Sequence, residues 1–127
     1  MRFKLYSIAA ACSLGAGLLN ALAIRYSLYW TFSWFDVIVH VLASIMVFIV
    51  SFALFSHRFE TKKALYLALG STLVVGVLWE IFEYISGATR FEPGLIEDTL
   101  YDLASDIFGG AVGAWLSFTE AKKLQNK

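Results

Sequence analysis

Asp36, His40, Glu80, Asp102 and Asp106 interrupt stretches of this chain that are otherwise apolar enough to lie in lipid. A carboxylate in hydrocarbon is costly unless it is paired, protonated or bound to a cation, so such residues mark a functional site. Their spacing turns letters into surfaces. Asp36 and His40 are four apart, Glu80 and Glu83 three apart, and Asp98, Asp102 and Asp106 recur every four residues. On helices each set projects from one face. By helical rise, His40 lies about 6 Å inside its apolar stretch, Asp106 about 10 Å inside another, and Glu80 about 9 Å from the end of a third. Three helices would therefore offer polar groups at one depth.

Asp36, Glu80, Glu83, Asp102 and Asp106 would place five negative charges in a small, poorly solvated volume, against Arg90 and at most a protonated His40. Carboxylates so close cannot all stay ionised unless they share protons or a cation. Oxygen ligands suit magnesium, calcium or manganese, and an added imidazole moves the preference toward zinc, manganese or iron. The expected ligands of a divalent ion (Mg, Mn or Zn) are thus Asp36, His40, Glu80, Asp102 and Asp106. Such an ion would activate water or polarise a phosphoryl oxygen, with Glu83 as general base and Arg90 holding a phosphate. The expected substrate is a membrane lipid or lipid-linked phosphate. Two other readings stay open: a cation or proton pathway, and a non-enzymatic envelope accessory protein. For a pathway, the inner half offers few polar groups beyond Ser44, Ser51, Ser71 and Thr72. Glu92 and Glu97 read as solvated loop charges, and Asp98 as a helix cap.

The elements that must position these residues follow from composition. With 59% hydrophobic and 16% charged residues in 127, the chain is too apolar for a soluble domain of its size. Four stretches, residues 5–24, 35–56, 64–86 and 99–119, reach the roughly 20 residues that cross a bilayer. The expected fold is all-α, a polytopic four-helix membrane bundle forming a single integral domain over residues 1–127. Eight of the ten basic residues fall on one side of it, leaving Arg25 and Arg90 opposite. The positive-inside rule then places both termini in the cytoplasm of a bacterial or archaeal cell and the acidic site in the outer half. Tyr26, Tyr29, Trp30, Phe32, Trp34 and Phe35 form an outer aromatic belt.

No basic patch exceeds juxtamembrane anchoring, which disfavours nucleic acid. The single cysteine, Cys12, permits no internal disulfide and reads as a small thiol packed between helices. Arg2, Lys4 and the Ala21-Leu22-Ala23 stretch also satisfy a cleavable-signal pattern. The length of the first apolar stretch and its run into the aromatic belt favour a retained span. Gly109 and Gly113 have helix-packing spacing, Pro93-Gly94 is a turn signal, and an oligomer is compatible with all of this.

In these motifs the chain resembles the VanZ-like family and the related YjdF-type inner-membrane proteins. VanZ-like members carry Asp-Lys-x-x-His, Glu-x-x-Gln, and an arginine followed by Asp-x-x-x-Asn-x-x-Gly. The matching stretches are Asp36-Val-Ile-Val-His40, Glu80-Ile-Phe-Glu83, Arg90, and Asp102-Leu-Ala-Ser-Asp106-Ile-Phe-Gly109. The Trp79-Glu80-x-x-Glu83 form is closer to the YjdF type. Val37, Glu83 and Asp106 stand where the VanZ-like pattern has lysine, glutamine and asparagine, and each change makes the pocket more acidic. The resemblance implies a multi-helix membrane architecture and a site location. VanZ itself is associated with resistance to a glycopeptide antibiotic.

Overall fold

The computed structural model describes residues 2–87 and 94–125. Arg90, Glu92 and the proline of the expected Pro93-Gly94 turn lie outside them. The chain is all-helical: α1 (Arg2–Tyr26), α2 (Leu28–Thr31), α3 (Phe35–Phe55), α4 (Thr61–Ser86) and α5 (Leu95–Gln125). Helices α1, α3 and α4 are long and apolar enough to cross a membrane. The fourth long helix, α5, packs among them, and Glu97, Asp98, Asp102 and Asp106 lower the hydropathy of its first half. This is a polytopic membrane protein.

The expected spans correspond to helices, with two differences. The aromatic belt contains the short helix α2, entered through Ser27 in the left-handed conformation at φ 54°. Helix α5 starts four residues earlier than expected, because Gly94, at φ 88°, turns the chain into it and its carbonyl accepts the Asp98 N–H at 2.9 Å. Asp98 is therefore inside the first turn rather than at the cap. A carboxylate there still complements the positive end of the helix dipole.

Helix α3 is the centre, packed against α1, α4 and α5. Its burial pattern explains why. His40, Ser44, Ile45, Phe48, Ile49, Phe52 and Ala53 are all buried, a spread too wide for one seam. Ile45 and Ile49 pack on Leu5 and Ala9 of α1, with Cys12 beside them. Phe48 and Phe52, with near-parallel rings 6.1 Å apart, pack on Ala64 and Ala68 of α4. The outward faces stay apolar: Leu14 and Leu18 of α1, Val74 and Leu78 of α4, and Ile107 and Phe108 of α5 are exposed. Lipid is the solvent in which such a surface is stable.

Helices α3 and α5 run parallel and very close. A Cβ on Gly109 would stand 2.6 Å from the Val41 carbonyl oxygen, and one on Gly113 would stand 2.9 Å from the Phe48 Cβ. With little hydrophobic drive between helices in lipid, this close van der Waals contact is what holds the pair. At the opposite end from the acids, the Lys4 ammonium donates to Glu120 Oε1 at 2.9 Å, so the start of α1 and the end of α5 are neighbours.

Gly109→Val should cost about 1–3 kcal/mol or more, because the added groups meet backbone that cannot move aside. Gly17, where an added Cβ meets nothing within 4 Å, supplies the control. Thermal unfolding in detergent should show a large fall for Gly109→Val and little change for Gly17→Ala.

Candidate metal centre

The close α3–α5 pair sets two ladders of polar residues side by side. Asp36, His40 and Ser44 climb α3 at four-residue steps, while Asp98, Asp102 and Asp106 climb α5 at the same step. Because the helices are parallel, the rungs interleave. His40 Nδ1 lies 3.2 Å from Asp106 Oδ1, and the Ser44 hydroxyl donates to that same oxygen at 2.6 Å. The other ring nitrogen, Nε2, faces Asp36 Oδ1 at 3.8 Å and Asp102 Oδ2 at 3.9 Å. Asp36, His40 and Asp102 each offer a ligand atom, all within 4.8 Å of one another. His40, Asp102 and Asp106 are 5%, 2% and 3% exposed, so water does little to screen them.

The hydrogen bonding fixes how the imidazole is used. A carboxylate oxygen accepts, so the Nδ1 position donates to Asp106 and leaves the Nε2 side for Asp36 and Asp102. At 3.8–3.9 Å neither carboxylate is within hydrogen-bond reach of Nε2. Indeed His40 Nε2, Asp102 Oδ2 and Asp106 Oδ2 are buried without a hydrogen-bond partner. Orphaned groups of this kind are expensive and need a reason. Ligand atoms that share one ion stand about 3–4 Å apart, given metal–ligand lengths of about 2.0–2.4 Å. Asp36, His40 and Asp102 could hold one ion at these separations, with Nε2 3.8–3.9 Å from each carboxylate oxygen and all three atoms within 4.8 Å. Asp106 would then stand where a carboxylate orients a metal-ligating histidine through its second nitrogen.

Asp106 itself needs room, and Gly76 supplies it. A Cβ on Gly76 would overlap the Asp106 carboxylate, so α4 accepts this side chain only where it has no side chain of its own. Of the residues singled out by sequence, Asp36, His40 and Asp102 converge, and Asp106 stands one layer behind them. Glu80 is not among the converging ligands. Its Oε2 accepts from Thr99 Oγ1 of α5 at 2.8 Å, and its Oε1 is buried without a partner. Glu83 Oε1 accepts from the Trp79 indole N–H at 2.9 Å. It lines, with Asp36 and Asp98, a chamber of about 680 Å³ at the end of the bundle. Arg90 lies outside the described residues.

Over residues 1–123 the chain matches the family described as "Predicted membrane protein (DUF2238)". It belongs to that family. No curated protein and no solved structure matches the chain. The matched region contains every residue of the two ladders together with Glu80, Glu83 and Gly76, so the centre lies within the family's shared length.

Three partners take roles the sequence did not indicate: Ser44, read there as an inner-half polar group, Tyr29, read as part of the aromatic belt, and Thr99. Ser44 was detectable as the third rung of Asp36 and His40. Thr99 was not, because only the fold brings it to Glu80. Tyr29 of α2 closes the chamber from above, donating its phenol hydrogen to Asn20 Oδ1 of α1 at 2.5 Å. Burial, then the charges of Asp36, Glu83 and Asp102, push the Tyr29 phenol up to about 12.

A phenol raised in the folded state contributes stability that is complete below its unfolded value and lost as pH rises through its folded one. Wild-type protein should therefore lose stability between pH 10 and 12 that Tyr29→Phe does not lose. Melting temperatures of the two proteins across that interval check this. Parallel curves would show that Tyr29 does not sit in the field of the carboxylates.

Proposed function

We propose that this protein holds a divalent cation on Asp36, His40 and Asp102, with Asp106 orienting the imidazole from behind. One observation carries the proposal: the buried Nε2 faces two carboxylates at distances too long for hydrogen bonds and right for ligands of a common ion. Two carboxylates neutralise a doubly charged ion, and the imidazole favours manganese or zinc over magnesium. Glu80, held by Thr99, is the next carboxylate available if the centre takes a further ligand. The VanZ-like order of motifs supports the same assignment, since its aspartate–histidine and aspartate motifs supply all three ligands.

Three protein ligands leave positions on the ion for water or a substrate oxygen, the pattern of a catalytic site rather than a closed structural one. This supports metal-dependent chemistry on a membrane lipid or lipid-linked phosphate, with Glu83 as the base and Arg90 as a phosphate-holding residue. The excess of basic residues at the opposite end supports an outer-leaflet position for the centre and cytoplasmic termini.

Metal content of the purified full chain, measured by plasma mass spectrometry after dialysis, tests the cation. One equivalent of manganese or zinc is expected in wild type and none in Asp102→Asn or His40→Ala. Asp106→Asn keeps all three ligands and should weaken affinity about 10–100-fold without abolishing binding. Wild-type protein that neither retains metal nor gains thermal stability when metal is added would sink the proposal.

A further inference from the structure

Helices α1 and α4 make no contact with each other among the described residues, and α3 floors the gap between them. Two cavities lie in this gap and share Asn20 and Trp79 as walls. The inner one, about 200 Å³, is a narrow slot with an apolar lining. Val39, Ala43 and Val47 run down its α3 side at four-residue steps, about 12 Å along the helix axis. Gly17 and Val75 at its sides are exposed, so the slot opens sideways, where lipid chains lie. Its floor reaches His40 and Asp106, whose buried Nε2 and Oδ2 lack hydrogen-bond partners.

The outer cavity is the chamber at the helix ends, and its chemistry is opposite. Asp36, Glu83 and Asp98 line it together with the rings of Tyr29, Trp30 and Phe82, and no described lining residue is basic. Carboxylates and aromatic faces together attract an organic cation. Polar chamber outside and apolar slot inside is the order of headgroup and chain in a membrane leaflet.

We propose that the α1/α4 gap binds an amine-bearing membrane lipid, with one hydrocarbon chain in the slot and the ammonium headgroup among Glu83, Asp98 and the aromatic rings of the chamber. Charge complementarity selects the headgroup, and the sideways opening lets the chain enter from the bilayer. The site does not require the metal ion. It does place a lipid head beside the centre proposed to act on one.

The test is native mass spectrometry of the detergent-purified full chain, exchanged against equal amounts of phosphatidylethanolamine and phosphatidylglycerol with identical chains. Wild type should retain one lipid, with the amine lipid preferred about tenfold. Glu83→Gln combined with Asp98→Asn should bring the preference close to parity while a lipid is still held. Gly17→Leu, whose added Cβ meets only open space, should fill the slot and remove both lipids while metal content stays as in wild type. Ala43→Leu blocks the same slot from α3 and should do likewise if Gly17→Leu folds poorly. Gly70→Leu, also into open space but away from the slot, should behave as wild type. Equal or greater retention of phosphatidylglycerol in wild type overturns the proposal, as does undiminished lipid in both slot-filling variants. Dissociation of a dimer by Gly17→Leu, with lipid retention unchanged, would assign the gap to a second copy of the chain. Lipid selectivity in protein that holds no metal would overturn the cation proposal alone.

Discussion

The close approach of α3 and α5 is the constraint on which the rest depends. Gly109 and Gly113 bring the α5 backbone against Val41 and Phe48 closely enough that no side chain fits between. They lie seven and eleven residues beyond Asp102, on the same stripe of the helix that carries Asp102 and Asp106. The contact that holds the pair is thus also the contact that sets the ladders in register. A bulky residue at Gly109 would do more than loosen packing. It would push Asp102 and Asp106 away from His40.

That register explains how a buried acidic cluster persists in an apolar bundle. Uncompensated charge in such surroundings is strongly destabilising, while a well-coordinated cluster is not. Asp106 is partly satisfied, with Oδ1 shared between His40 and Ser44. Its Oδ2 is turned toward Gly76 of α4, whereas His40 Nε2 and Asp102 Oδ2, both buried without a hydrogen-bond partner, face each other at 3.9 Å. One shared cation would satisfy both.

Much of this was legible in the sequence, for identifiable reasons. The four long helices follow from apolar runs of bilayer length, which leave backbone hydrogen bonds no other solution. The four-residue spacing of Asp36 and His40, and of Asp102 and Asp106, fixed which residues share a face. Sequence could not assign layers. Asp106 and Asp102 are equivalent by spacing, and only the vertical offset of α5 against α3 puts one at Nδ1 and the other opposite Nε2. The same limit applies to Glu80, whose attachment to Thr99 depends on how far down α4 meets α5. The early start of α5 turned on one left-handed glycine, which hydrophobic periodicity does not register. Gly76 reads in sequence as one more small residue of a membrane helix, and its use as a seat for a carboxylate depends on the facing helix.

The gap between α1 and α4 completes the physical picture. Helix α3 is wrapped by three neighbours, and among the described residues α1 and α4 do not meet, while α5 packs against α4 and, more slightly, α1. The described helices thus leave an opening between α1 and α4. The proposed ion centre at the base of that opening would be reached from the bilayer through apolar walls and from the helix ends through an acidic vestibule. Water and ions would come by the vestibule, hydrocarbon by the side. The intermediate position of His40, facing carboxylates on one edge and lining the apolar slot, joins the two routes at a single side chain. It is there that the proposed cation and the proposed lipid would come closest, both against α3, the scaffold of the bundle.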